Sequence, residues 1–256
     1  MVCRRTHGQK NCTRARDAGP VGVALRGLQG PIAALGIAVF VAASVARAEG
    51  LALGGFDASK DGNSAYIGTI KPIAGGNLGQ GLAVRLWADY NTYSYATDSS
   101  LIDAKASGLE VALAYQTSSG ENWGSVSLGP RYTYTRLSPD DPSNNESGAK
   151  WGLKAQVGGE VVAMPNLFVN AFAAYTTGTE AYWARLRLLY RFDGGLRTGP
   201  ELIGHGNTVY RAVQVGWVLS GIKLGASSEV GLKVGARHTE GESTQPYAGV
   251  EFVAPF

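Results

Sequence analysis

From Leu51 to Phe256 apolar and polar residues alternate one by one, in runs broken by Gly, Asn, Asp and Ser clusters. In residues 82–93, Val84, Leu86, Ala88 and Tyr90 share one parity, and Arg85, Trp87, Asp89 and Asn91 the other. In residues 183–191, Ala184, Leu186, Leu188 and Tyr190 oppose Arg185, Arg187 and Arg191. Residues 151–161 set Trp151, Leu153, Ala155, Val157 and Val161 against Lys154, Gln156 and Glu160. Residues 229–237 set Val230, Leu232, Val234 and Ala236 against Glu229, Lys233 and Arg237. A period of two gives a strand one apolar and one polar face, whereas a helix would scatter these residues around its cylinder.

The pattern predicts twelve strands, near 51–59, 63–71, 81–95, 103–116, 121–136, 149–163, 166–177, 181–191, 194–202, 209–219, 227–238 and 245–256. The count falls to ten if the weakly patterned first pair does not form. Asp61-Gly62 and Asp193-Gly194 are hairpin turn signals. Short links between successive strands imply an antiparallel meander, and no Pro/Ser-rich linker divides residues 49–256 into separate domains.

The first 48 residues have a different character. Arg4, Arg5, Lys10, Arg14, Arg16 and Arg26 stand against one acid, Asp17. The apolar run Ile32–Ala43 follows, then Ser44-Val45-Ala46-Arg47-Ala48. Basic flank, short apolar core and an Ala-x-Ala end predict a signal peptide cut after Ala48. The run is too short for a membrane-spanning helix, which needs about 20 apolar residues. The precursor's net charge of +3 then divides. Residues 49–256 hold sixteen basic and nineteen acidic residues, a net of −3. Both cysteines, Cys3 and Cys12, fall in the leader, which excludes a disulfide framework and a cysteine zinc site.

Alternation alone does not say which face points inward. Export, runs longer than the about 9–11 residues of a tilted span, and aromatics near strand ends (Tyr93, Tyr95, Trp123, Tyr132, Tyr134, Trp151, Tyr182, Trp183) favour an all-β, antiparallel up-and-down transmembrane β-barrel. A soluble sandwich would put the apolar face inside instead. The last strand carries Ala248, Val250, Phe252, Ala254 and Phe256 on one face. A terminal Phe on an alternating strand resembles the signal read by the barrel-assembly machinery, with Phe252 and Phe256 as its residues. Pro255 departs from the usual pattern. Expected partners are therefore outer-membrane lipid and that machinery. Both termini belong in the periplasm, with longer loops outside at 96–102, 137–148, 203–208 and 238–244. The connection 72–80 is long for a periplasmic turn.

Sorted by parity, the predicted lumen contains Arg85, Arg131, Lys154, Arg185, Arg187, Arg191, Arg197, Lys233 and Arg237 with Asp89, Glu110, Glu160, Glu201, Glu229 and Glu251, and also Trp87. Charges inside a narrow barrel pair across strands to satisfy one another. The alternative is a weakly anion-favouring pore or a polar polysaccharide-binding interior. Porin-like bores need about sixteen strands, so twelve leave room for filling by side chains. Enzymatic signals are weak. His205 and His238 lie in or beside outer loops, and Ser243 is the nearest serine to His238. No catalysis, cofactor or metal is expected, and no nucleic acid partner, since neither a phosphate loop nor a basic-aromatic stripe occurs.

The stretch GPELIGHGNTVYRAVQVGW is more distinctive, with Gly199-Pro200-Glu201, Gly206-Asn207 and Tyr210-Arg211. Together with GGFDASKDGNSAYIGTIKPI near the start of the mature chain, it resembles the cellulose biosynthesis protein BcsS family. The resemblance implies an outer-membrane β-barrel associated with bacterial cellulose biosynthesis, export or surface anchoring. Cellulose or components of the cellulose synthase complex would be its partners. It carries over no catalytic residue. A small general porin, an adhesin-like barrel or a lipid-modifying enzyme are the competing readings. Trp87, Tyr93 and Tyr210 are candidates to stack on sugar rings.

Overall fold

The computed structural model describes residues 49–73, 75–97, 100–142, 144, 146–225 and 227–256. The expected signal peptide lies outside them. Twelve strands follow in order: β1 Leu51–Ser59, β2 Gly62–Pro72, β3 Gly81–Ala96, β4 Leu101–Ser119, β5 Asn122–Ser138, β6 Gly148–Met164, β7 Leu167–Thr176, β8 Ala181–Arg191, β9 Arg197–Gly206, β10 Arg211–Leu224, β11 Ser228–Thr239 and β12 Gln245–Pro255. Each pairs antiparallel with its chain neighbours, and β1 pairs with β12 from Leu51↔Pro255 to Ser59↔Tyr247, so the sheet closes. Gly50 and Phe256 extend that seam by exchanging backbone hydrogen bonds of 2.8 and 3.0 Å. Closure removes the unpaired edges that an open sheet would present.

The weakly patterned first pair does form, which settles the count at twelve. Its turn is Lys60-Asp61, with Gly62 already in β2. β9 and β10 sit later than the alternation suggested: β9 begins at Arg197, after a turn through Asp193 and Gly194, and reaches Gly206. Gly194 and Gly195 both have positive φ, 88° and 90°, a conformation that ends the preceding strand and is accessible to glycine.

The apolar parity faces outward. Ile67, Leu86, Leu109, Val126, Leu128, Leu153, Val157, Leu186, Val215, Trp217 and Val234 are all exposed on the exterior. Such a belt far exceeds the few hundred Å² of contiguous apolar surface that water-soluble monomers show, and it is what a lipid-facing wall presents. The strand-end aromatics divide between the faces. Tyr132 packs on Trp151 at 5.2 Å on the outside, and Tyr134 and Tyr182 are also exposed. Tyr93 and Tyr95 are buried within the barrel. Trp123 and Trp183 share their strands' inward parity with Ser127 and Arg187. The girdle is therefore smaller than the sequence suggested, because position along a strand does not determine which face a residue occupies.

Two Gly-Pro pairs interrupt the ladders. β4 and β5 pair at Glu110↔Arg131 and resume at Leu113↔Leu128, skipping Gly129-Pro130. β8 and β9 pair at Arg187↔Glu201 and resume at Tyr190↔Thr198, skipping Gly199-Pro200. Proline has no N–H to donate, which accounts for the gap. The adjacent glycine lets the neighbouring backbone close in: a Cβ on Gly129 would lie 2.0 Å from the Val111 carbonyl oxygen, and one on Gly199 1.8 Å from that of Leu188. Each pair is followed by an inward-facing charge, Arg131 or Glu201.

Candidate functional site

The lumen is lined by charged side chains that meet across the barrel. Arg85 and Lys154 both reach Glu110, at 2.5 and 2.9 Å. Arg131 grips Asp89 with two hydrogen bonds of 2.7 and 2.9 Å. Glu251 on β12 accepts from Arg187 at 2.8 Å, from Arg185 at 3.2 Å and from Lys233 at 3.4 Å. Arg187 also pairs with Glu201, and Lys233 with Asp57 at 2.9 Å. Arg197 on β9 reaches Glu160 on β6 at 2.7 Å. Asn170 links Glu160 to Arg185. Arg191 pairs with Glu121 at the rim on the side of the termini. Arg237 differs from these. Among the described residues it has no carboxylate within ion-pair distance, and it donates to the Tyr210 hydroxyl, to Ser59 Oγ and to the Gly62 carbonyl. Glu229, the second residue of β11, is exposed.

Trp87 lies against the lumen wall. It stacks on Tyr66 at 4.8 Å and 12°, beneath the Arg85 guanidinium. Gly68 has no Cβ to obstruct it; one would fall 2.1 Å from the indole.

The end opposite the termini carries the longest connection, between β5 and β6, as the extracellular mouth of outer-membrane barrels does. Its interior is filled by Tyr93, Tyr95, Ile102, Ala104, Leu137, Tyr210 and Ala212. Asn144 and Glu146, between β5 and β6, are buried beside them. Asn144 donates to the Tyr95 hydroxyl at 2.6 Å, and Tyr95 donates to Asp141 at 2.9 Å. Glu146 is only 5% exposed. Its Oε2 accepts from Asn207 at 2.5 Å, and its backbone N–H donates to Asn144 Oδ1. The motif residues Gly206, Asn207 and Tyr210 form the tight β9–β10 turn. Asn207 Oδ1 caps the N–H groups of Val209 and Tyr210, and the Asn207 N–H bonds the Tyr210 carbonyl at 2.8 Å. Arg211 points outward, 3.9 Å from Glu240. Beside this turn opens a cleft of about 400 Å³ lined by Tyr95, Ala96, Thr208, Val209, Tyr210, Arg211, Glu240 and Gly241.

Parity alone did not register Asp57, although it stands opposite exposed Phe56 in the first strand. Asn144 and Glu146 carried no periodic signal at all, because they sit in a connection. His205 is on β9, its ring 5.7 Å from Tyr210, and His238 lies 3.3 Å from Thr244; neither meets Ser243 in the described contacts.

The profile of the cellulose biosynthesis protein BcsS family matches residues 51–256, the whole barrel. The chain belongs to the cellulose biosynthesis protein BcsS family. It is thus a barrel associated with cellulose biosynthesis. No curated protein sequence matches this BcsS-family chain. Among solved structures, an outer-membrane channel from Pseudomonas putida F1 is similar, with a TM-score of 0.52 at 12% identity, over 83% of this chain and 97% of the channel. The KdgM porin in complex with disordered oligogalacturonate gives a TM-score of 0.47 at 14% identity, over 80% of this chain and 99% of the porin. At these identities the likeness concerns the fold, that of outer-membrane barrels.

Proposed function

We propose that this BcsS-family barrel is a non-enzymatic outer-membrane protein that holds glucan at its extracellular mouth, so that cellulose is anchored or organised at the cell surface rather than threaded through the lumen. The observation that carries this reading is the ion-pair network spanning the lumen. A neutral glucan passing through would have to separate Arg187 from Glu251 and Arg197 from Glu160. Losing a partner outright from a buried ion pair costs about 3–5 kcal/mol, and the hydroxyls of a neutral glucan carry no charge to replace it. The mouth instead offers a cleft in which Thr208, Arg211 and Glu240 stand beside the buried Tyr95 and Tyr210, hydrogen-bonding groups suited to sugar hydroxyls.

The test uses the purified barrel. Cellohexaose is expected to bind it, and Arg211→Ala to weaken binding about tenfold, the loss of one charge-assisted hydrogen bond of about 1.5 kcal/mol. In planar bilayers the barrel should show no porin-sized conductance. A strain lacking it should secrete normal amounts of cellulose but retain less on the cell surface. Absence of cellohexaose binding, or loss of secreted cellulose with surface retention unaffected, would count against the reading.

We further infer that the terminal residues engage the barrel-assembly machinery. The Phe256 ring lies over Gly50, where a Cβ would approach within 2.6 Å, at the β1–β12 seam that closes the barrel. Phe256→Ala is expected to lower the heat-modifiable, folded fraction in membranes several-fold, and Phe252→Ala to do so less. Equal folded fractions on heat-modifiability gels would refute the role.

A further inference from the structure

Two like charges stand side by side on the outer wall of the barrel. β4 carries Leu109, Val111, Leu113 and Tyr115 outward, each more than half exposed. Toward the end away from the termini its outward residues become Ser107, Lys105 and Asp103. Tyr90 on β3 and Tyr134 on β5 both pair with Ser107, and both are exposed. Outward tyrosines on either side of a serine mark the level of the lipid headgroups, where amphipathic rings collect. From Tyr115 to Ser107, β4 rises about 20 Å along the membrane normal at the usual tilt, the scale of the apolar band of such barrels. One step further out, Lys105 stands directly opposite Arg136 on β5 and Thr92 on β3. Both cations are exposed. Directly opposed residues hold their Cβ atoms about 5 Å apart, and like charges there destabilise a sheet. Among the described residues neither cation forms an ion pair. Asp103, diagonal to Arg136, lies in the next row with Ser94 and Ser138, and accepts from Ser94 Oγ at 2.8 Å. Thr92 Oγ1 accepts from the Asn63 N–H at 2.9 Å. At the other end of the wall the outward cation Lys71 has its acid, Glu49, at 3.4 Å.

We propose that Lys105 and Arg136 form a docking site for the phosphate of a phosphorylated glycolipid in the outer leaflet, whose acyl chains lie on the β3–β5 wall. The site is on the outer wall, apart from the mouth, and does not depend on the glucan reading.

The chemistry of the two cations suits a phosphate. Arginine offers its oxygens a planar fork of donors, and lysine adds a mobile point charge. An anion between them removes the repulsion that the register imposes. The wall is arranged in the order in which such a lipid presents itself. The cations are outermost, the Tyr90–Ser107–Tyr134 row follows, and Leu109, Val111 and Leu113 offer the acyl chains an apolar track. A free phosphate would use the cations and leave the rest of this surface unused.

The test folds the full barrel in an uncharged maltoside detergent and titrates it with lipid A, a phosphorylated and acylated glucosamine disaccharide, or with the same lipid stripped of its phosphates. Native mass spectrometry counts the lipid-bound fraction. The native chain is expected to prefer lipid A over the stripped lipid by about tenfold or more. Lys105→Gln and Arg136→Gln should each weaken lipid A binding about tenfold, the loss of one charge-assisted hydrogen bond, and leave the stripped lipid unaffected. Lys71→Gln should change neither. Arg136→Glu supplies a second readout, since it turns the opposed cations into an ion pair. In lipid-free detergent it should unfold at a higher temperature than the native chain on heat-modifiability gels, whereas lipid A should raise the unfolding temperature of the native chain alone. Equal affinity for the two lipids, or equal losses in Lys71→Gln and Arg136→Gln, overturns the site. A lower unfolding temperature for Arg136→Glu in lipid-free detergent overturns the repulsion between the two cations. Displacement of lipid A by inorganic phosphate at millimolar concentration makes this a free-anion site and refutes the lipid assignment.

Discussion

Glu251→Ala is expected to destabilise the barrel by about 3–5 kcal/mol, the usual cost of removing one member of a buried ion network. The carboxylate accepts from Arg185, Arg187 and Lys233, and its side chain is mostly buried. Arg187 keeps Glu201 and Lys233 keeps Asp57, but Arg185 is left with Asn170 as its polar partner. Three cations on β8 and β11 would then repel one another across the lumen without the anion between them. In urea the unfolding midpoint of the detergent-folded protein should fall by roughly 1 M or more, given slopes of about 1–3 kcal/mol per molar. Glu251→Gln keeps the shape and one acceptor, so its loss should be smaller. Adding Lys233→Met to Glu251→Gln removes one of the stranded charges and should restore part of the stability. A midpoint unchanged by Glu251→Ala would mean that water, rather than Glu251, compensates these cations.

The second large effect concerns backbone approach. Gly199→Val is expected to prevent folding, and Gly199→Ala to cost about 3 kcal/mol or more, because the obstructing atoms are the Leu188 carbonyl and the Leu189 Cα rather than a side chain that could turn aside. Gly204, five residues further along the same strand, is the control: a Cβ there meets nothing within 4 Å. Gly204→Ala should leave the folded fraction on heat-modifiability gels intact, while Gly199→Ala reduces it. If both substitutions were equally tolerated, the close approach of β8 and β9 at the Gly-Pro step would not be a requirement of the fold. Gly129 faces the same kind of obstruction from Val111, so Gly129→Ala should behave like Gly199→Ala.

Both effects depend on features that were partly visible along the chain. Gly199-Pro200-Glu201 stood out as a motif, and Pro in a strand already implies a missing ladder bond. Its counterpart Gly129-Pro130 reads the same way only once the strands are paired and both gaps appear beside an inward charge. The charged residues of the lumen sorted by parity, but their partners did not. Arg187 and Glu251 are 64 residues apart, and Arg197 and Glu160 are 37 apart. Register between neighbouring strands cannot bring them together; closure of the sheet does. Asp57 was missed because the first strand, rich in small residues, showed little alternation. Glu146 and Asn144 were beyond reach for a different reason. They lie in a connection, where no period constrains direction, and only the folded barrel buries them beside Tyr93 and Tyr95.

The sequence by itself determined the strands, their antiparallel succession and the two faces of each, since side-chain direction in a strand is a local property with period two. It also determined the family, through short motifs that stay together along the chain. Only the tertiary structure decided which aromatics face lipid and which fill the mouth, which lumenal charges meet, and where the cleft and the Glu146 contact arise. Those depend on the curvature of a closed sheet and on the paths of its loops, and both are set by contacts between residues far apart in the chain.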